Sequence, residues 1–183
     1  MYSLAASSAG RRCAVLAALM VDEVLTKVYI DLPHHWGTGG ESLWAEDLGG
    51  DLFRVRNVPF CAYGINFRDV VRATADGPGL KPEVREIVER SGHRTLRVFF
   101  DDSYPEDSRV GLLKQLNSHQ AFFECATSRY FAIDIEPQGS YEKVCDQLWA
   151  WENAGFLSYE TCEARVPGSF DDKLDKDVPS AGG

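Results

Sequence analysis

The residue pattern predicts an α+β protein: a small β-rich, barrel-like N-terminal part, then a ferredoxin-like βαββαβ part. Three observations carry this expectation. Short stretches of alternating apolar and polar residues, separated by turn-forming residues, recur about every ten positions between 27 and 76. Beyond residue 91, strand-like and helix-like stretches follow one another in the order β-α-β-β-α-β. Apolar residues make up 44% of the chain and charged residues 26%, which is the composition of chains that fold around a core.

Residues 1–26 are expected to form a tail and a short helix. Arg11-Arg12 and the apolar run from Cys13 to Val21 imitate the start of a secretion signal. The run is short, however, and Asp22-Glu23 follow at once without a small-residue cleavage site. It is also too short to span a bilayer. A β-rich sub-domain is then expected over 27–90. Lys27–Leu32 reads as a strand stopped by Pro33, and His34 to Gly40 as a loop. Glu41–Leu48 reads as a strand and Gly49-Gly50-Asp51 as a turn. Leu52–Arg56 alternates as a half-buried strand does, and Pro59 closes that stretch. Asp69–Thr74 adds another strand, for a small open barrel or curled sheet over 27–76. Pro82 is placed to open a helix running to Arg90. Val84, Ile87 and Val88 serve a strand equally well, so both remain open.

The second sub-domain is expected over 91–166. Arg94–Phe100 is a strand, and Ser108 caps a helix to about Ser118 carrying Val110, Leu112, Leu113 and Leu116. Ala121–Ala126 and Tyr130–Ile135 form a hairpin across Thr127-Ser128. A second helix opens near Ser140 and places Tyr141, Val144, Cys145, Leu148 and Trp149 on one face, with Trp151 flanking and Gly155 at its end. Phe156–Ala164 is the last strand. Residues 167–183 are acidic, then Gly/Ser-rich, and are expected to be a disordered tail.

The net charge of −9 argues against nucleic acid or an anionic membrane as partner, because phosphate neutralisation requires a basic face. Another protein fits better, and a small polar ligand remains open. The five cysteines include no CxxC pair, so no metal site is expected and reduced thiols in a cytoplasmic protein are the simplest account. No Walker loop, dinucleotide fingerprint, GxSxG elbow or HExxH is present, and no cofactor is expected.

His93 is the sharpest candidate, because Ser91-Gly92 turns the chain into a strand exactly where the two sub-domains should meet. Arg94 and Arg97 follow, and an imidazole beside a guanidinium suits an anionic ligand. Asn57, Cys61, Tyr63 and Asp69 crowd one stretch. Asp69 could act as a base, although Asn57 and Asp69 also suit turn-tying. Cys61 has no neighbour in sequence to lower its pKa. His34 and His35 lie in a glycine-rich loop, where such residues are commonly surface. Glu41, beside Trp44, and the pair Glu124 and Asp134 sit on strands, where carboxylates usually form the solvated face. Trp149 and Trp151 read as core, or else as an interface anchor.

Taken together, Lys27–Leu32, Glu41–Ala45, Arg56–Phe60, Asp69–Val71 and Ser91–Arg97 make the chain resemble DUF4265, a bacterial family of unknown function, over residues 25–163. The sequence departs from that pattern at Arg68, where the resemblance implies glycine before the aspartate. The resemblance assigns no activity. Carried over, its recurring polar positions are Glu41, Trp44, Asn57, Asp69, His93 and Arg97. Two functional classes follow. One is an acidic protein-binding or accessory module, such as a subunit of an enzyme complex or an immunity-type inhibitor. The other is a small cofactor-independent enzyme acting on a small polar, anionic substrate. There His93 and Asp69 would be catalytic, and Arg97, Asn57, Trp44 and Glu41 would bind the ligand.

Overall fold

The computed structural model describes residues 24–33, 35 and 37–163. The readings on residues 1–23, on His34 and on the tail beyond 163 lie outside the described residues.

The N-terminal unit is a closed barrel of five strands: β1 (Leu25–Asp31), β2 (Gly40–Gly49), β3 (Leu52–Val55), β4 (Val70–Thr74) and β5 (Glu83–Glu89). Alternation sends Val28, Ile30, Leu43, Ala45, Phe53, Val55, Val71, Ala73 and Val84 into its core. One expectation is corrected here and one open choice is decided. Leu25 and Thr26, placed with the N-terminal tail and short helix, are strand and pair with Glu46 and Ala45. The stretch after Pro82, open between helix and strand, is β5. It pairs antiparallel with β4 and meets β1 in parallel, where Tyr29 N–H donates to the Pro82 carbonyl at 2.8 Å. The barrel closes because β5 fills the gap between two otherwise open edges, and that gain outweighs the local preference after a proline.

The C-terminal unit runs β6 (Arg94–Phe100), α1 (Glu106–Leu113), β7 (Ala121–Cys125), β8 (Tyr130–Ile135), α2 (Tyr141–Asn153) and β9 (Leu157–Thr161). A 3-10 turn, Lys114–His119, continues α1. The helix begins at Glu106, two residues before the expected Ser108. Its four strands form an antiparallel sheet in the order β7-β8-β6-β9. One face of the sheet presents Leu96, Val98, Phe100, Phe131, Ile133 and Ile135 to the helices. The buried face of α2 is Val144, Leu148 and Trp151. Trp149 therefore points away and is 62% exposed, which corrects its reading as core. Gly155, at φ +75°, ends α2 as expected.

Alternation along β6 puts Thr95, Arg97 and Phe99 on the opposite face of the sheet. The barrel lies against that face through the stretch 57–69, which joins β3 to β4. Gly64 N–H donates to the Cys162 carbonyl at 3.1 Å, and the Tyr130 hydroxyl donates to the Phe60 carbonyl. This contact is the seam between the two units.

Candidate functional site

The seam holds two polar clusters. The first is built around Asp69, which is fully buried at the end of the 57–69 stretch. Its carboxylate accepts the backbone N–H of Ser91 at 2.8 Å and of Asn66 at 3.0 Å, and Arg90 stands 3.5 Å away. Ser91 Oγ lies 2.9 Å from Asp69 Oδ1 and 2.7 Å from the Phe67 carbonyl, and it accepts the His93 backbone N–H at 3.2 Å. Gly92, at φ +82°, lets the chain reverse between Ser91 and His93. The imidazole of His93 then lands edge-on to Phe67, with ring centroids 5.3 Å apart. Its Nδ1 sits 2.9 Å from both oxygens of Asp134. Opposite a carboxylate, Nδ1 carries the proton of the neutral ring and Nε2 keeps the lone pair. Nε2 makes no hydrogen bond among the described residues.

The second cluster is built around Arg97, which is 1% exposed. It donates to Glu160 at 3.0 Å and to the Ala62 carbonyl, and it stacks on the Tyr63 ring with its guanidinium carbon 4.3 Å from the centroid. The Tyr63 hydroxyl donates to the other oxygen of Glu160 at 2.8 Å. Glu41 organises this cluster from the barrel side. Its carboxylate accepts the backbone N–H of Phe60, Cys61 and Ala62 at 2.7, 2.9 and 2.8 Å. It thereby holds in place the carbonyl that Arg97 uses. Burial, helped by Glu41, pushes the Cys61 thiol up to about 11, and burial pushes Cys162 to about 12. Burial and the bond to Glu160 raise Tyr63 to about 12. His35 approaches Tyr63 with ring centroids 6.4 Å apart, and burial and Arg97 lower its pKa.

The six residues singled out by sequence thus separate into three groups. Asp69 and His93 share the first cluster, joined through Ser91. Glu41 and Arg97 share the second, joined through residues 60–62. Asn57 and Trp44 lie elsewhere: Asn57 Oδ1 accepts the Trp44 backbone N–H at 2.7 Å, and the exposed Trp44 ring packs under Lys27 Nζ at 4.5 Å. Arg94, expected beside Arg97, faces the helix side and stacks on Tyr141. Asp134 was read as solvated face, yet it is buried against His93. Together with Ser91 and Glu160 it is a member of the seam that strand-level reading missed. The usable signal was alternation: with Ile133 and Ile135 committed to the helices, Asp134 had to face whatever covers the other side.

The fold and its seam define a two-unit α+β chain, mostly strands, with an ionic interior boundary. The chain matches the family described as "Domain of unknown function (DUF4265)" over residues 41–159, and it belongs to that family. A solved structure described as "Novel crystal structure of a hypothetical protein from Neisseria gonorrhoeae" has the same fold. The two share 20% identity and a TM-score of 0.61, over 75% of this chain and 92% of that one. No curated protein matches the chain. Among the described residues, no helix is long and apolar enough to cross a membrane.

Proposed function

We propose that this chain is a non-catalytic, acidic protein-binding module: a cytoplasmic accessory or regulatory subunit, or an immunity-type inhibitor. The observation that carries this reading is Trp149. It stands 62% exposed on α2, although Val144, Leu148 and Trp151 already complete the buried face of that helix. Exposed Asp146 and Glu142 lie along the same stripe, one and two turns toward the N-terminus respectively. An exposed indole among carboxylates suits a basic protein surface, which supplies both apolar contact and cations for the ring. The net charge of −9 adds long-range attraction to such a partner. That Cys61, Cys145 and Cys162 form no disulfide among the described residues fits the cytoplasmic setting. The strand order β7-β8-β6-β9, with helices after β6 and β8, supports a ferredoxin-like description of the C-terminal unit, a scaffold common to binding modules and enzymes alike.

The test is co-purification of the full chain from native extract. A partner should be retained by Trp44→Ala and lost with Trp149→Ala. Retention of the partner by Trp149→Ala would overturn the reading.

One observation favours a second reading, the small enzyme. His93 is oriented by Asp134 and keeps Nε2 unbonded among the described residues, as a general base requires. Arg97 and Asp69 lend it less, since both spend their hydrogen bonds on the seam.

A further inference from the structure

A closed barrel has no free edge, but an open sheet has two, and β9 is one of them. Among the described residues β9 pairs on one side alone, with β6. The Cys162 N–H donates to the Thr95 carbonyl at 3.2 Å, and the Phe156 carbonyl accepts the Asp101 N–H at 3.0 Å. The even-numbered residues of this stretch therefore turn their backbone groups toward β6. By alternation, Leu157, Tyr159 and Thr161 turn theirs outward. Leu157–Thr161 also lacks the usual devices that blunt an edge, having no proline, no lysine and no bulge in its register.

The flank of α2 supplies what surrounds this edge. The Tyr159 N–H donates to Glu152 Oε1 at 3.2 Å. Glu152 is exposed, so its carboxylate is a removable cover rather than a packed lock. Asp146 stands on the same flank. Burial, and then Cys145, Glu152 and Asp146, raise the pKa of the Tyr159 hydroxyl, so both carboxylates act on this strand. Trp149 lies between them on the helix, three residues from each. Outward backbone groups recruit another strand, and the side chains beside them choose which one. Asp146 and Glu152 repel an acidic segment and attract a basic one, and the indole accepts both apolar stems and cations.

We propose that β9 accepts an extended basic segment of a partner protein as a fifth strand of the sheet, with Trp149 laid over its side chains and Glu152 turning from the Tyr159 N–H to one of its cations. The proposal rests on the reading of α2 as the binding face and adds the form of the partner.

The probe is an acetylated, amidated peptide of alternating lysine and valine, longer than β9, titrated into the full chain. Bound peptide should slow hydrogen exchange at Tyr159 and Thr161 about tenfold, and a glutamate–valine peptide should leave it unchanged. Thr161→Pro deletes an outward N–H without touching the bonds to β6, so peptide affinity should fall about tenfold. Thr161→Ala keeps that N–H and should bind as the unaltered chain does. Unchanged exchange on β9 overturns the proposal, as does equal affinity for Thr161→Pro and Thr161→Ala. The exchange measurement on the unaltered chain decides even if Thr161→Pro does not fold. If Trp149→Ala abolishes peptide binding and Thr161→Pro does not, strand addition is overturned and the α2 reading stands. If Thr161→Pro abolishes it and Trp149→Ala does not, strand addition is supported and the reading built on Trp149 falls. Slow exchange on β9 that grows with protein concentration in the absence of peptide assigns the edge to a second copy and overturns the proposal.

Discussion

The two faces of the C-terminal sheet are chemically opposite where they are buried. Toward the helices it presents Leu96, Val98, Ile133 and Ile135, none more than 1% exposed. Toward the barrel it presents Thr95, Arg97, Asp134 and Cys162, none more than 6% exposed. The helix side is held by non-directional burial, which tolerates sliding as long as volume is conserved. The barrel side is held by bonds of fixed length and angle: Arg97 to Glu160 and Ala62, and Asp69 to Ser91. The difference teaches that the barrel is docked for orientation more than for adhesion, since buried ionic groups add specificity of arrangement rather than much net stability.

The comparison can be broken by experiment. Leu96→Ala, on the helix side, should cost about 4 kcal/mol in urea unfolding, from lost burial and the cavity left behind. Asp69→Ala, on the barrel side, should cost about 3 kcal/mol, because two buried backbone N–H groups lose their acceptor. A cost for Asp69→Ala below about 0.5 kcal/mol would show that the polar seam contributes nothing. Glu41→Gln keeps one acceptor oxygen and removes the charge, so about 1–2 kcal/mol is expected from the same measurement. Arg68 sits at φ +64°, in the left-handed region, so Arg68→Gly should raise stability by about 0.5–1 kcal/mol. The smallest effect is kinetic. Native-state alkylation at pH 8, read by mass spectrometry, should label exposed Cys125 well before Cys61. The Cys61 thiol stays protonated there, and its labelling should climb only as pH approaches about 11.

Much of the fold was legible, and the failures share a cause. Strands such as Leu52–Val55 and Tyr130–Ile135 announce themselves by alternation or by bounded apolar runs. Val84, Ile87 and Val88 fit either period, and only the need of β4 and β1 for a common neighbour decides between them. Trp149 was assigned to the wrong side of α2 because adjacent turns of a helix offer two overlapping apolar stripes, and packing chose the one through Trp151. His93 and Arg97 were legible from the Gly92 turn and from strand position. Asp134 and Glu160 were not, because their partners are distant in sequence: His93 is 41 residues from Asp134, and Arg97 and Tyr63 are 63 and 97 residues from Glu160. The departure at Arg68 was legible as an oddity, and its positive φ is the physical counterpart.

The 57–69 stretch contains no helix and, until β4 begins, no strand, yet Glu41 grips it at residues 60–62 and Asp69 ties it at Asn66 and Ser91. Its amide protons are therefore expected to exchange with deuterated solvent as slowly as those of the barrel strands, and together rather than one by one. A segment that secondary structure alone would rank among the first to open should instead be among the last.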